Sequence, residues 1–441
     1  MEHLPISTWT TPPADLRPAL EGDRTADVCV VGAGFTGLTA ALALKRTGAD
    51  VVLVERDFAG FGASGRNAGH LTPTIGKDVP TLLMMYGEKR TSSLLEFAEH
   101  AIGSAEALIR EHAIDCDYWP TGNVMAAVAP AQEKRLRKAA ETAARVGAQV
   151  EYLDRADMRR RGLPAAFIAG AWEKRGGTLD PGKLARGLRR VVIDAGVPLH
   201  EGTPVTGVDD AAKPRVRTPR GTVTAGAVIL ATNAYTVELG HLRSMLVPLH
   251  DTLFESAPLG EDDLARVAWP GREGIYTAHE SLESYRLTAR GTIVGGSKAV
   301  RYPYGSRPTG DSTPTTIAAN VQAFRDRFPE LASVPVAHTW GGWIDMTINF
   351  LPILGTSGTH GAIHYAAGYN GHGVAQACAM GPIVADATLG RANDYAGRFK
   401  PFAISLPPEP LRWMLVRAML GTVVAVDRRV DARLRRNLGT A

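Results

Sequence analysis

The sequence predicts an α/β protein in two interleaved parts, one built on a parallel sheet and one rich in short strands. Three observations carry this. From Asp27 to Glu55 the chain reads strand, glycine turn, amphipathic helix, strand. Residues 246–300 hold several short strand-like runs, among them Pro248-Leu249-His250-Asp251-Thr252-Leu253-Phe254-Glu255, Ser284-Tyr285-Arg286-Leu287-Thr288 and Thr292-Ile293-Val294-Gly295-Gly296. Between and after these lie helical periodicities at 81–112, 130–147 and 375–389, with Asp180-Pro181-Gly182 opening another through Ile193.

Composition narrows the class. A chain of 441 residues, 45% hydrophobic and 21% charged, can bury large cores, which excludes disorder and fibre. No apolar run approaches the ~20 residues of a spanning helix, and Met1-Glu2-His3-Leu4-Pro5 has no secretory character, so a soluble cytoplasmic protein is expected. The three cysteines, Cys29, Cys116 and Cys378, form no C-x-x-C pair; neither a disulfide framework nor a metal cluster is expected. A net charge of +4 without a basic, aromatic-interleaved block gives no footprint for nucleic acid. Residues 1–24 read as an irregular lead-in, with short strands expected around Val205 and Val216.

In the first unit, Val28-Cys29-Val30-Val31-Gly32-Ala33-Gly34-Phe35-Thr36-Gly37 places three glycines where a dinucleotide fold needs them. Gly32 permits the turn, Gly34 lets backbone N–H groups approach a pyrophosphate, and Gly37 brings helix and strand together. Glu55 ends the second strand, where a carboxylate accepts from ribose hydroxyls and repels a 2′-phosphate. Nicotinamide and flavin dinucleotides both remain open at this point. The segment Phe58-Ala59-Gly60-Phe61-Gly62-Ala63-Ser64-Gly65-Arg66-Asn67-Ala68-Gly69-His70 reads either as a flexible surface loop or as a second cradle with donors from Ser64, Arg66 and Asn67.

Gly62-Ala63-Ser64-Gly65-Arg66-Asn67-Ala68-Gly69 resembles the D-amino-acid-oxidase (DAO) family of FAD-dependent oxidoreductases, in the branch that contains gamma-glutamylputrescine oxidase. Trp340-Gly341-Gly342-Trp343-Ile344-Asp345-Met346-Thr347-Ile348-Asn349-Phe350-Leu351-Pro352, Tyr365-Ala366-Ala367-Gly368-Tyr369-Asn370-Gly371-His372-Gly373-Val374 and Ala227-Val228-Ile229-Leu230-Ala231-Thr232-Asn233-Ala234-Tyr235 resemble the same branch in the same order. The resemblance implies a Rossmann-like (GR2-type) FAD-binding domain with an interleaved antiparallel-sheet substrate domain. The expected division is 26–80, 150–235 and 340–392 for FAD, 81–149 and 236–339 for substrate, and 393–441 as an extension with a basic amphipathic helix.

It further implies FAD contacts from Gly32, Gly34, Phe35, Thr36, Gly37, Glu55, Arg56, Gly62, Ala63, Ser64, Arg66, Asn67, Ala68, Gly69, Val205, Thr232, Gly342, Gly371, His372, Gly373 and Val374. The loop Gly371-His372-Gly373 lies against the flavin ring, where a helix N-terminus stabilises developing negative charge. Some relatives tether FAD through a cysteine at the position of Gly342; without one nearby, FAD is expected to be non-covalent.

For catalysis the candidates are His372, Arg286, Tyr285 and His70, with His279, Tyr276 and Tyr369 as further wall residues. Ala375 stands where sarcosine-oxidising relatives carry a lysine, which favours an extended amine. The expected reaction is hydride transfer from a C–N carbon to flavin N5, giving an imine that hydrolyses, with oxygen as acceptor and hydrogen peroxide as product. Alternatives are a D-amino-acid or N-alkyl-amino-acid dehydrogenase serving a quinone or protein acceptor, an NAD-linked enzyme, and a flavoprotein without turnover. The helix from Leu411 to Asp427-Arg428-Arg429 either docks on the body or makes peripheral membrane contact.

Overall fold

The computed structural model describes residues 1–402 and 404–438, so residue 403 and the end of the expected extension, 439–441, lie outside it. The apolar run in Arg24–Val31 is buried because the strand lies between two parallel neighbours, Val51–Val54 and Gly221–Leu230. Leu199–His200 extends this sheet at one side and Ile363–Ala367 at the other, in parallel register. Helices Phe35–Arg46 and Gly373–Thr388 cover one face, sharing a core of Leu38, Ala41, Ala379, Met380 and Ile383. Pro181–Asp194 joins them through Leu184, Leu188 and Val192, started by Asp180, whose carboxylate accepts from Lys183 N–H.

The second sheet has nine strands, with Leu246–Ser256 and Val336–Thr347 as its longest pair. Ile293–Gly296, Ser284–Leu287, Gly274–Thr277, Asn123–Ala127, Ala169–Glu173 and Val150–Leu153 follow in that order. One face packs on Phe254, Tyr285, Phe324 and Phe328; the other faces the nucleotide-type unit. Of the two strands at 150–173, grouped with the FAD segments on sequence, Ala169–Glu173 pairs instead with Asn123–Ala127 and Val150–Leu153 adds to Ala169–Glu173 at the sheet edge, and the strand that begins at Val336 is likewise part of the nine-stranded sheet. Their long-range partners decide membership, and short strands carry no local mark of them. The lead-in also contributes: Glu2–Leu4 adds a parallel strand beside Val336–Thr347. Val205 itself lies before the strand Gly207–Asp209.

The C-terminal helix Leu411–Leu438 docks on the body. Arg412, Val416, Asp427 and Asp431 are buried, and Asp427 accepts from Glu280 N–H (2.9 Å) and Ser281 N–H (2.8 Å). Asp431 enters a buried ion network with Arg327 Nη2 (2.6 Å), Lys298 Nζ (2.8 Å) and Glu283, which Arg327 grips through Nε and Nη2. His279, Glu283 and Asp431 stand close enough to share an ion, but Lys298 and Arg327 already fill the space between them. The outer side of the helix exposes Leu411, Met414, Leu415 and Met419. Among the described residues no helix is long and apolar enough to cross a membrane.

Candidate active site

Two cavities meet at one loop. The first is floored by the glycine turn. Gly32 has φ +98°, and a Cβ there would stand 2.8 Å from the Ala231 carbonyl oxygen; one on Gly37 would stand 1.8 Å from that of Gly32. Helix Phe35–Arg46 therefore starts hard against the strand, with Gly34 as an N-cap that offers no side chain and no acid in its first turn. Its free N–H groups and positive dipole end are left for an anion. Glu55 holds the turn, accepting from Ala33 N–H (2.7 Å) and Asp57 N–H (3.1 Å). Burial raises its carboxyl, opposed by those two hydrogen bonds.

From this turn the cavity passes Glu55, Arg56, Gly62, Ala63, Ser64 and Asn67, with Val205 and Thr232 on its wall, and ends at Gly371, Gly373 and Val374. Phe35 and Thr36 line it as well. Ser64 Oγ accepts from Phe35 N–H (2.9 Å), tying the second loop to the helix start. Asn67 braces that loop internally, donating to the carbonyls of Ala63 and Ser64 and accepting from Gly69 N–H.

Arg66 departs from its expected role as phosphate donor. Its guanidinium donates to the carbonyls of Phe61 (2.8 Å), Pro5 (2.8 Å) and Gly341 (3.0 Å), and it does not line the cavity. It is a strut between three chain segments. A Cβ on Gly342 would stand 3.4 Å from the Arg66 Cβ, and Gly37, Ala68 and Gly69 likewise stand behind the cavity wall.

At the far end, helix Gly373–Thr388 begins on His372 with no side-chain cap and no acid in its first turn. Two helix starts whose own N-cap residues supply no side-chain cap thus point into one elongated space. His372 lines the second cavity, of about 630 Å³, while its neighbours Gly371 and Gly373 line the first. Its Nδ1 lies 2.9 Å from the Asn370 carbonyl oxygen, and burial, with the Lys77 charge, lowers its pKa despite that bond. The second cavity lies between the segment 73–82 and the sheet, and Lys77, Met125, Glu173, Tyr276 and Thr277 reach it.

The other candidates separate. His70 stands behind the second cavity with Nδ1 3.1 Å from Asn123 Oδ1, edge-on to Tyr276 at 6.5 Å; burial pushes its pKa down to about 4, so it is neutral. Arg286 faces the nucleotide unit but is used beneath the second loop, donating from Nε to the Ala68 carbonyl and lying over the Trp9 ring at 5.1 Å. Tyr285 points the opposite way, into the aromatic core, and donates to Glu283 Oε2 (2.9 Å). Neither lines either of these two cavities, which corrects their expected place in the pocket wall. Tyr369 bonds Thr36 across the first cavity (2.7 Å), and His279 lines the edge of the second while held in the ion network.

Sequence reading passed over Asp345 and Glu173. Asp345 accepts from Gly368 N–H (2.6 Å) and Tyr369 N–H (3.2 Å), shaping the turn before Gly371, and burial pushes its carboxyl up to about 6. An acid inside the apolar run from Trp340 to Leu354 was the available signal.

A long cavity with two helix starts and a ribose-type acid is the mark of a dinucleotide flavoprotein, and the residues fit FAD. Residues 27–387 match the family described as FAD dependent oxidoreductase, DAO. The gamma-glutamylputrescine oxidoreductase of Escherichia coli (strain K12) is 33% identical over 88% of this chain and 88% of its own. Among solved structures, L-proline dehydrogenase from P. horikoshii has a TM-score of 0.71 at 20% identity, covering 87% of this chain and 98% of that one. Glycine oxidase from Geobacillus kaustophilus has 0.69 at 19%, covering 86% and 99%. The chain belongs to the DAO family and is an FAD-dependent oxidoreductase.

Proposed function

We propose that this enzyme oxidises a C–N single bond of an amine or amino acid, with an extended amine of the gamma-glutamylputrescine kind as substrate. The observation that carries the reading is the junction of the two cavities at Gly371-His372-Gly373, which sets the ring end of a flavin site against a separate chamber. FAD, held non-covalently along the cavity from Gly34 to Gly371 and Gly373, would supply a two-electron acceptor for the substrate's hydride, with oxygen as its oxidant and hydrogen peroxide as product.

The chain's share is placement and field. The substrate nitrogen must be neutral to release hydride from its neighbouring carbon, and its desolvation against the chamber wall would favour that form. His372, neutral and fixed by Asn370, is the side chain placed to touch the reacting centre. The start of helix Gly373–Thr388 favours negative charge beside it. Arg286 and His70 position the loop at 68–70 from below.

Anaerobic mixing of the purified yellow protein with polyamine derivatives, D-amino acids and N-alkyl amino acids should bleach the flavin absorbance with at least the polyamine derivatives. A panel in which no amine bleaches it rejects the reading.

The exposed apolar side of helix Leu411–Leu438, with Arg417, Arg428 and Arg429 also on that helix, favours a second reading: a dehydrogenase that passes electrons to a quinone at an anionic membrane. Sedimentation with anionic liposomes at low salt should carry the protein down, and high salt should release it. Protein left in the supernatant at low salt removes this reading.

A further inference from the structure

Two polar atoms on one wall of the second cavity face each other without a hydrogen bond of ordinary geometry to any group. Glu173 Oε2 and the Tyr276 hydroxyl are both buried without hydrogen-bond partners, at residue exposures of 8% and 5%. The register explains why they share one wall. Glu173 pairs with Asn123 and Tyr276 with Met125, so both side chains leave the sheet on its cavity side, flanking the strand Asn123–Ala127. The hydroxyl faces the carboxyl, but the two do not close a hydrogen bond of ordinary geometry.

The surroundings sharpen the anomaly. No lysine or arginine among the described residues forms an ion pair with Glu173, and the charged group that acts on it is another acid, Glu99, itself turned to Arg175 (3.6 Å). The neighbouring Lys174 is engaged with Glu151 (2.8 Å). A buried carboxyl is normally paired or bonded, and an orphan costs stability. One facing a chamber can be completed by a ligand that enters it.

We propose that Glu173 and Tyr276 seat a cationic nitrogen of the substrate. A protonated amine has N–H donors to spare, one for the carboxylate and one for the phenol oxygen, and its charge compensates the acid in a poorly solvated space. The nitrogen being oxidised must be neutral, so the seated one is a second nitrogen. The substrate class is therefore amines that carry a further ammonium group away from the reacting carbon. This rests on reading the second cavity as the substrate chamber.

The test uses the holoenzyme at pH 8 with two probes of equal length, 1,4-diaminobutane and 1,4-butanediol, read by thermal shift under anaerobic conditions. Wild type is expected to be stabilised by the diamine and not by the diol. Glu173→Gln should weaken the diamine at least about tenfold with flavin content unchanged, and Tyr276→Phe about threefold. Equal shifts with the two probes in wild type overturn the seat, as does undiminished diamine binding in flavin-replete Glu173→Gln. The wild-type comparison stands if the variant fails to fold. Flavin bleached by amines without any diamine preference sinks the seat and spares the proposed reaction; a diamine-specific shift in a protein that no amine bleaches does the reverse.

Discussion

Gly34→Val is expected to yield a folded protein with less than about one tenth of the wild-type flavin, because on the proposed seating of FAD this glycine is where backbone would meet pyrophosphate. The backbone there, φ −80° and ψ −173°, suits any residue, so the substitution brings no torsional strain. The obstruction is spatial. A Cβ on Gly34 stands 2.8 Å from Ser64 Oγ, and valine adds two methyl groups beyond it. Ser64 would have to swing away, releasing the Phe35 N–H that it caps and opening the tie between turn and second loop. Flavin absorbance per mole of protein measures the loss, with far-UV circular dichroism as the control for folding. Wild-type flavin content in Gly34→Val contradicts the assignment of this turn to the diphosphate.

The second large effect is on stability. Arg327→Ala removes the cation that grips both Glu283 (2.9 and 3.0 Å) and Asp431 (2.6 Å), leaving two buried acids with Lys298 and His279. Breaking such a group costs about 3–5 kcal/mol, which should lower Tm by at least about 5 °C. Arg327→Lys should recover part of it, since a point charge cannot reproduce the forked contact. Burial alone would raise the Asp431 carboxyl, but His279, Lys298 and Arg327 override it and hold the group well below its ordinary 3.8. Its contribution is thus complete above that ordinary value and is lost only as pH falls toward the depressed one. Limited proteolysis supplies a local readout: the C-terminal helix, anchored through Asp431, should be cut faster in Arg327→Ala. An unchanged Tm and cleavage rate would show that the network holds nothing in place.

What could be read from the chain is what local backbone chemistry dictates. The turn at Gly32 to Gly37 and the acid at Glu55 are legible because spacing along one βαβ unit fixes them, and the helices at 79–111, 130–145 and 373–388 because periodicity marks them. Arg286 and Tyr285 show the opposite case. Adjacent strand residues leave opposite faces of a sheet, and only pairing with Ile275 and Gly295 decides that Tyr285 takes the aromatic side. Arg66 carried the right chemistry for a phosphate but found three carbonyls first, two of them from segments far away in sequence. Glu173 gave no signal at all as the last residue of a short strand; its meaning comes from what fails to meet it.

The cradle is stitched from both ends of the polypeptide. Ser7, Trp9 and Thr10 all donate to the single carbonyl of Gly65, while the ring end awaits Gly371 and Gly373. On the proposed seating of FAD, a ribosome would deliver the diphosphate turn hundreds of residues before the wall that completes it, and capture of the coenzyme would be a closing act of biosynthesis. Nascent chains halted short of Val336 should emerge colourless, however well their first βαβ unit has formed.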